Sequence, residues 1–387
     1  MSEIFHGLTE QQQEIRNIMR EFAEERVRPV RAELDEKEIF PRALLNELGK
    51  MDMMGLYIPE AYGGFGGSSL DFILAVEELS RVCIGVSVSY AANALGAYPI
   101  IFGGNEEQKK KYLTPLATGE KLCAFGLTEP NAGSDAGGIQ TTAVLKGDKY
   151  ILNGTKQWIT NGGEADIYTI IAMTDRAKGA RGASVFIVEK GMKGFTFGKL
   201  EHKLGIHASA TRELIFEDCE VPKENILGRE GMGFILAMKT LDQSRPGIGA
   251  QGVGLAQGAL DEAVQYARQR VQFGKPIVAN QAVQHILADM ATKTEAARAL
   301  VYTACRTIDA GIKDVSKISA MAKLYASDTA MQVTVDAVQV LGGYGYMKEY
   351  PVEKMMRDAK ILQIYEGTNQ IQRNVIGAAL IKEYASK

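Results

Sequence analysis

The sequence has little of what metal and redox sites require. Its 387 residues include only four cysteines and four histidines, and the cysteines are far apart, without the close pairs of metal or redox motifs. The histidines form no HExxH pair, which argues against a protein-bound catalytic metal. We therefore interpret Cys83, Cys123, Cys219 and Cys305 as buried thiols in a reducing compartment.

Strong charge and long apolar runs are also lacking. The net charge is -3 at pH 7 and 24% of the residues are charged, so no basic field for nucleic acid or anionic lipid is expected. The segment Met1 to His6 lacks the basic and apolar parts of a secretory signal, and no later stretch reads as a membrane span of about 20 apolar residues. We predict a cytoplasmic protein without a membrane or nucleic-acid partner.

Three regions with different hydrophobic periodicity follow one another, and this order predicts an α+β multidomain chain. Residues 1–120 are interpreted as a helical domain, with an amphipathic helix ending before Pro29 and another helix beginning at Ser68. Residues 121–234 contain short, strand-like runs and are predicted to form a β-barrel or sandwich, with Asn153-Gly154 as a hairpin turn. Residues 235–387 return to helical periodicity and are predicted to form a four-helix bundle.

Near the C-terminus, the segment Tyr365 to Gln370 places one acid, Glu366, between an aromatic ring and a glycine. An acid shielded in this way can have its pKa raised toward the range of a general base. The alternative is a helix start, with Gly367 in a turn, Thr368 or Asn369 as the cap, and Glu366 in solvent. These six residues alone favour the helix start.

Two segments of the middle region offer groups for a planar ligand. The stretch Phe125 to Gly138 is rich in glycine and supplies Thr128, Ser134 and backbone N–H donors, although a surface loop is an equally good interpretation. Trp158, the only tryptophan, precedes Thr160 and would give a flat wall beside a hydroxyl. The default interpretation of such a tryptophan is a buried core residue.

Taken in order, these segments resemble the acyl-CoA dehydrogenase family over essentially the whole chain. The matching strings are 124–138, 157–161, 217–225, 270–274, 339–343 and 365–372. The resemblance implies a helical domain, a β-barrel-like domain and a four-helix bundle, which hold FAD non-covalently between them. It further implies a homotetramer built as a dimer of dimers and an electron-transfer flavoprotein as electron acceptor.

The resemblance also implies roles for individual residues. Glu366 would take the α-proton of an acyl-CoA thioester while a hydride leaves the β-carbon for flavin N5. Some relatives place the base at the position of Ser244, which is a poor base without an activating partner. Asp242, Arg245, Tyr365, Gly367 and Ser134 would contact substrate. The implied FAD contacts are Phe125, Leu127, Thr128, Gly133, Ser134, Trp158, Ile159, Thr160, Arg270, Phe273, Gln281, Gln339, Leu341, Gly342, Gly343, Thr368, Asn369 and Gln370, with part of the ADP-side group serving a neighbouring subunit.

The acyl pocket is expected around Tyr90, Ala91 and Tyr98. A small residue at position 91 leaves room, and Tyr90 or Tyr98 would close the pocket. The resemblance favours α,β-desaturation of a short or medium acyl-CoA and leaves straight, branched and cyclic chains open. The alternatives are an enoyl-CoA reductase working in reverse, an acyl-CoA oxidase and a relative diverged to nucleic-acid binding.

Overall fold

A computed structural model describes residues 6–385; the outermost residues of the predicted terminal domains, and most of the segment Met1 to His6, lie outside this range. Helices α1 to α6 come first, then a mixed sheet, then helices α7 to α11. The first six helices are α1 Glu10–Phe22, α2 Arg31–Glu36, α3 Arg42–Lys50, α4 Ser69–Val82, α5 Ile84–Gly103 and α6 Glu106–Ala117.

The start of α4 confirms the helix predicted at Ser68. The Ser68 hydroxyl accepts a hydrogen bond from the Asp71 backbone N–H at 3.1 Å, and the Asp71 carboxylate accepts one from the Ser68 N–H at 2.8 Å. This reciprocal cap satisfies two backbone donors that a helix start leaves without intrahelical partners. The glycine-rich turn before Ser68 therefore ends in a fixed position, and α4 is buried along most of its length.

Helix α5 corrects the expectation that no segment is long and apolar enough to span a membrane. Its 20 residues meet that criterion of length and composition, but 83% of the relevant window is buried inside the protein. The helix packs against α4, α7 and strands of the sheet, and Gly96 lies so close to Cys123 and Ala124 that a Cβ would collide with them. Its apolar character is therefore that of a helix buried in the protein core.

The middle region forms one mixed eight-stranded sheet among the described residues, which confirms the β domain expected between two helical domains. Its order is β6-β7-β3-β2-β4-β5-β8, and β1 pairs in parallel with β4. The strands are β1 Cys123–Gly126, β2 Thr142–Lys146, β3 Lys149–Thr160, β4 Ile167–Met173, β5 Ala183–Glu189, β6 Phe195–Phe197, β7 Thr211–Pro222 and β8 Ile226–Leu227.

The hairpin predicted at Asn153-Gly154 is wrong. Strand β3 runs through both residues, and the turn between β2 and β3 lies at Gly147-Asp148. Gly154 sits instead at a register shift against β7, with φ of 146°. A side chain there would collide with Thr141, so the glycine permits a bulge in a continuous strand.

The C-terminal region confirms the predicted helical bundle. The helices expected near 281–311 and 316–341 are α8 Gln281–Asp309 and α9 Ser316–Leu341. Before them come α7 Gly233–Gln269 and the short pair β9 Val271–Gln272 and β10 Lys275–Pro276, and after them α10 Val352–Leu362 and α11 Asn369–Ala385. Helix α9 packs against α7, α8, α10 and α11 and so occupies the centre of the bundle.

Candidate active site

A cavity of about 540 Å³ lies where helix α5, the sheet and the helical bundle meet. This volume is in the range of small-molecule and cofactor sites. One side is formed by the loop after β1 and the end of β3, and the other by α7, the turn before α11, and α11 itself. We call the first side the sheet wall and the second the bundle wall.

The sheet wall gathers all eight of the flavin contacts predicted in the middle region. Phe125, Leu127, Thr128, Gly133, Ser134, Trp158, Ile159 and Thr160 all line the cavity. The two segments that carry them are hydrogen-bonded to each other, because the Gln157 N–H donates to the Thr128 carbonyl oxygen at 2.8 Å. The structure thus brings residues about 30 positions apart onto one surface.

Trp158 is not the buried core residue that is the default for a tryptophan. It is 59% exposed, and its φ of 57° lies in the left-handed region, which a bulky residue rarely adopts. The pairing of β3 with β7 shifts register between Lys156 and Ile159, so Trp158 sits in a bulge. The bulge turns the indole from the sheet to the cavity, at a cost of about 1–3 kcal/mol in backbone strain.

A buried ion pair supports the sheet wall, and the sequence interpretation overlooked it. The Lys156 ammonium is fully buried and donates to a Glu129 carboxylate oxygen at 2.6 Å and to the Leu127 carbonyl oxygen at 3.0 Å. Burial lowers the pKa of Lys156 to about 8, against the opposing effect of Glu129. Although burial alone would raise it, contacts with Lys156, Thr141 and Gln140 hold the pKa of Glu129 below its usual value.

The bundle wall carries Glu366. Tyr365, Glu366 and Gly367 line the cavity in the turn between α10 and α11. Glu366 has φ of 51° and Gly367 has φ of 88°, so two successive residues are left-handed. The Ser244 hydroxyl donates to a Glu366 carboxylate oxygen at 2.6 Å. Burial raises the pKa of the Glu366 carboxyl, while Ser244, Arg245 and Lys323 act in the opposite direction.

The predicted substrate contacts Asp242 and Arg245 lie on α7. Arg245 is buried, lines the cavity, and donates to the Asp242 carboxylate at 2.6 Å. Its Nε atom is buried without a partner among the described residues. Asp242 also accepts a hydrogen bond from Ser316, which links α7 to the start of α9.

A smaller space of about 20 Å³ continues from Glu366 between α4, α5 and α7. Ala91 lines both this space and the larger cavity, and Tyr98 closes the smaller one together with Phe72 and Gln243. Tyr90 does not line either space, which corrects its predicted role. Its side chain is buried against Phe72, and its hydroxyl donates to the Met53 carbonyl oxygen at 2.7 Å.

The residues expected around the far end of the cofactor do not reach this cavity. Arg270, Leu341, Gly342 and Gly343 line a separate depression of about 550 Å³, where the Arg270 guanidinium lies 5.3 Å from the centre of the Tyr344 ring. Gln281 and Gln339 are exposed, and Phe273 is 96% exposed with φ of 53°. Within one chain these residues therefore form a surface apart from the cavity.

Of the three residues after Gly367, Thr368 and Asn369 have structural partners. Thr368 accepts a hydrogen bond from the Ile371 N–H at 3.3 Å at the start of α11, as the helix-start interpretation predicts. Gln370 is exposed and lies outside the cavity lining. Asn369 is buried, and its amide group bonds Lys323, Ser327 and Asp328. These bonds occupy the Asn369 side chain, so it is not free for a flavin.

No group of three or more His, Cys, Asp and Glu side chains that could hold a metal ion occurs within residues 6–385. All four cysteines are free and buried. The groups that line the cavity include the carboxyl of Glu366 and the polar groups of the sheet wall.

Sequence comparisons agree with this architecture. Family models match residues 9–120 as "Acyl-CoA dehydrogenase, N-terminal domain", residues 124–219 as its middle domain and residues 231–381 as its C-terminal domain. A short-chain-specific acyl-CoA dehydrogenase from Clostridium acetobutylicum is 53% identical over 377 residues, covering 97% of this chain and 99% of the relative.

Solved structures give the same result. Butyryl-CoA dehydrogenase from Megasphaera elsdenii is 51% identical with a TM-score of 0.95, covering 98% of this chain and all of that one. A chain in a structure of the electron transferring flavoprotein of Acidaminococcus fermentans is 56% identical with a TM-score of 0.96, covering 97% and 99%. An acyl-CoA dehydrogenase from Bacillus anthracis complexed with FAD is 38% identical with a TM-score of 0.93, covering 98% and 68%.

Fold, cavity and relatives together define a flavin-dependent oxidoreductase architecture. The chain belongs to the acyl-CoA dehydrogenase family. It is an enzyme of that family, whose cofactor is FAD.

Proposed function

We propose that the protein catalyses FAD-dependent α,β-desaturation of a short acyl-CoA, with Glu366 as the base. The observation that carries this proposal is the position of the Glu366 carboxyl. It lines both the large cavity and the small space behind it, so a thioester entering from the large cavity would place its first carbons beside this acid. Geometry is the first requirement for a general base, and the position of Glu366 at the junction of the two spaces supports this role.

The reaction removes two hydrogens from adjacent carbons. Glu366 accepts the α-carbon's proton, the electron pair of the broken C–H bond forms the new double bond, and the β-carbon loses a hydride. FAD, when bound, supplies the two-electron acceptor for that hydride. The raised pKa of Glu366 suits this role, because a stronger base takes the weakly acidic α-proton more readily.

The sheet wall fits a flat heterocycle with polar edges. Trp158 exposes its indole face there, and Gly133 has open space where a Cβ would stand. Thr128 and Thr160 add hydroxyl groups to the same lining. Residues 125–134 and 158–160 would therefore hold the flavin ring of FAD. Arg245, with its partnerless Nε atom, is placed to bind the CoA arm.

The small space behind Glu366 restricts the acyl chain. Its volume of about 20 Å³ leaves room for about one water molecule, and Tyr98 and Phe72 close it with rings packed into the core. A straight chain of about four carbons is the substrate class that this geometry favours, because each further methylene needs space that close-packed neighbours already fill. The small residue Ala91 borders the route into this space.

The base is tested by Glu366→Gln, which removes the proton acceptor and preserves shape. We expect purified variant and wild type to be equally yellow and to bind butyryl-CoA similarly, while the rate of anaerobic flavin bleaching by butyryl-CoA falls about 10²–10⁴-fold in the variant. Glu120→Gln, which changes an exposed acid outside the cavity, is the matched control. Wild-type turnover in Glu366→Gln would show that another group is the base.

Chain length is tested with a panel of straight, branched and cyclic acyl-CoAs. We expect wild type to favour butyryl-CoA over octanoyl-CoA, and Tyr98→Ala to gain relative activity on the longer chain because it opens the closed end. Phe65→Ala, at an exposed aromatic residue, is the control. Equal rates on four and eight carbons in wild type would contradict a closed pocket.

Partners and location complete the proposal. An electron-transfer flavoprotein is the proposed electron acceptor, supported by the likeness to a chain in such a structure. The surface around Arg270, Phe273 and Gly342 suits a contact between subunits, and we propose a homotetramer. The proposed location is the cytoplasm. Steady-state assays with oxidised and with reduced flavoprotein separate acyl-CoA oxidation from enoyl-CoA reduction, and peroxide release detects an oxidase.

A further inference from the structure

The turn that carries Glu366 needs support, because Glu366 itself has a left-handed backbone. A non-glycine residue in this conformation costs energy and persists only where its surroundings hold it. Two side chains reach the carbonyl groups of the turn. Gln372 Nε2 donates to the Glu366 and Gly367 carbonyl oxygens, each at 3.0 Å, and Lys323 Nζ donates to the Gly367 carbonyl oxygen at 2.8 Å.

Lys323 is an unusual residue to find at this position. It lies two turns into α9, the central helix of the bundle, and is fully buried. Its second acceptor is the Asn369 side-chain oxygen at 2.8 Å. Asn369 is held in turn by Ser327 at 2.9 Å and by Asp328 at 2.7 Å, so the ammonium group occupies a fixed socket.

Lys323 differs from the other cation near Glu366, Arg245, in its ion-pair partners. On α7, Arg245 pairs with Asp242 at 2.6 Å, so that cation has a carboxylate of its own. Within residues 6–385, Lys323 has no carboxylate in ion-pair contact. Asp328 on the same helix pairs with Arg373 of α11 at 3.1 Å.

The other ionisable neighbours of Glu366 are phenols. Tyr98 on α5 is buried and the adjacent Tyr365 is half-buried, and burial raises the pKa of each phenol, so both stay neutral near pH 7. The Tyr365 hydroxyl donates to Gln251 on α7. Lys323 is therefore the cation near Glu366 whose charge is not already balanced by a carboxylate in contact.

We propose that Lys323 is a positioning residue for Glu366. Its hydrogen bonds to Gly367 and Asn369 hold the Glu366–Gly367 turn in its left-handed form, and its positive charge favours the ionised carboxylate that accepts the proton. This inference rests on the proposed role of Glu366 as the base.

The charge effects agree with this geometry. Burial lowers the pKa of Lys323 to about 7, and the nearby Glu366 acts against that decrease. Burial likewise raises the pKa of Glu366, and Lys323 is among the groups that oppose the increase. Each group thus favours the charged form of the other, and near neutral pH the loss of one charge makes the other harder to keep.

The test compares wild type with Lys323→Met and Lys323→Gln, using the protein loaded with FAD. Lys317→Met, at a partly exposed lysine on the same helix, is the control. The rate of flavin bleaching by butyryl-CoA is measured from pH 5.5 to 9.5, together with FAD content and butyryl-CoA affinity. In the neutral variants we expect the rate at pH 7 to fall at least about tenfold and the acid limb of the pH profile to move upward by about one unit.

The two neutral variants separate structure from charge. Lys323→Gln removes the charge but keeps a hydrogen-bond donor for the Gly367 carbonyl. If Lys323→Met fails to fold, the pH profile can therefore still be measured in Lys323→Gln. Lys323→Arg keeps the charge, and its acid limb is expected near that of wild type even where its rate is lower. A general structural defect would instead lower FAD content and substrate affinity and leave the acid limb in place.

Failure of this inference differs from failure of the proposed function. If wild type, Lys323→Met and Lys323→Gln share the same acid limb and the same rate at pH 7, the proposed role of Lys323 is wrong. Glu366→Gln would still be inactive in that case, and the proposed base would stand. Wild-type turnover in Glu366→Gln overturns the base itself, whatever the lysine variants do.

Discussion

A fully buried lysine lies behind each wall of the cavity, Lys156 behind the sheet wall and Lys323, on α9, behind the bundle wall, but the two lysines have different partners. On the sheet wall, Lys156 contacts the carboxylate of Glu129 at 2.6 Å. On the bundle wall, Lys323 donates to the Gly367 carbonyl and the Asn369 amide oxygen, both uncharged. The charge of Lys156 is balanced by a carboxylate in contact, whereas Lys323 contacts only uncharged acceptors.

This difference matches what each wall has to do. The sheet wall is a surface against which a ligand rests, and a closed ion pair fixes its shape without placing net charge in the cavity. The bundle wall carries an acid that changes protonation, and a cation without its own carboxylate responds to that change. One lysine is therefore predicted to act mainly on stability, and the other on the ionisation of Glu366.

Lys156→Met is expected to have the largest effect on stability. It leaves the buried Glu129 carboxylate without its cation, which typically costs about 3–5 kcal/mol, and it releases the loop that carries Leu127. We expect a lower unfolding midpoint in urea and loss of FAD during purification. Lys149→Met is the control. Lys149 lies on β3, like Lys156, and forms a partly exposed ion pair with Glu220 of β7, so its loss should cost at most about 1 kcal/mol.

The double variant Lys156→Met/Glu129→Gln sharpens this test. Removing the second charge eliminates the unpaired carboxylate, so part of the lost stability should return. If the double variant lost more free energy of unfolding than the two single variants lose in total, the ion-pair explanation would be wrong.

Lys323→Met is expected to have a smaller effect on stability. It leaves two uncharged oxygens, on Gly367 and Asn369, with one donor fewer, which costs about 1–3 kcal/mol. The measurement is the free energy of unfolding of the FAD-loaded protein in urea, beside Lys156→Met and the control Lys317→Met. If Lys323→Met were the less stable of the two core variants, the proposed division of roles between the walls would be wrong.

The smallest expected effect of Lys323→Met is on how the free energy of unfolding changes with pH. The folded-state pKa of Lys323 is about 7, below the ordinary value of 10.5, so above pH 7 the unfolded chain binds more protons than the folded one. Stability gained from this group therefore rises with pH through that window, by at most about 1.4 kcal/mol per unit. Urea unfolding at pH 7, 8 and 9 should show a shallower rise in Lys323→Met than in Lys317→Met.

Much of the fold followed from sequence periodicity. Helices α8 and α9 lie close to the predicted ranges, since long amphipathic patterns with short connections leave few alternatives. The error at Asn153-Gly154 has a physical origin. The same left-handed tendency that makes Asn-Gly a hairpin turn also suits a bulge, and only pairing with β7 and the closeness of Thr141 decide between them.

The site was predictable where one segment carries its own signal and not where distant segments meet. Glu366 and the Phe125 to Gly138 stretch could be singled out locally, but on their own residues the first favoured a helix start in solvent and the second could equally be a surface loop. The family resemblance gave both a role in the site, and the structure places both at the cavity. Lys323 does not stand out, although its spacing from Ser319, Ser327 and Ala330 puts it on the buried face of α9. A lysine on an otherwise small and apolar helix face is the signal that would have found it.

Tyr90 and Asn369 illustrate the opposite error. Both occur in segments that reach the cavity, but neighbouring residues on a helix or turn face different directions. Tyr90 points into the core toward Met53, one residue before Ala91, which does line the cavity. Only the three-dimensional packing decides which member of such a pair faces a ligand.

The bulge at Trp158 also gives the protein an internal optical reporter. Because this is the only tryptophan in the chain and its indole faces the cavity, all of the indole fluorescence originates at the sheet wall. The emission therefore reports on the polarity and occupancy of that one surface, free of signal from the rest of the molecule. The strained backbone that presents a flat ring to a ligand thus also makes the arrival of that ligand visible in the unlabelled protein.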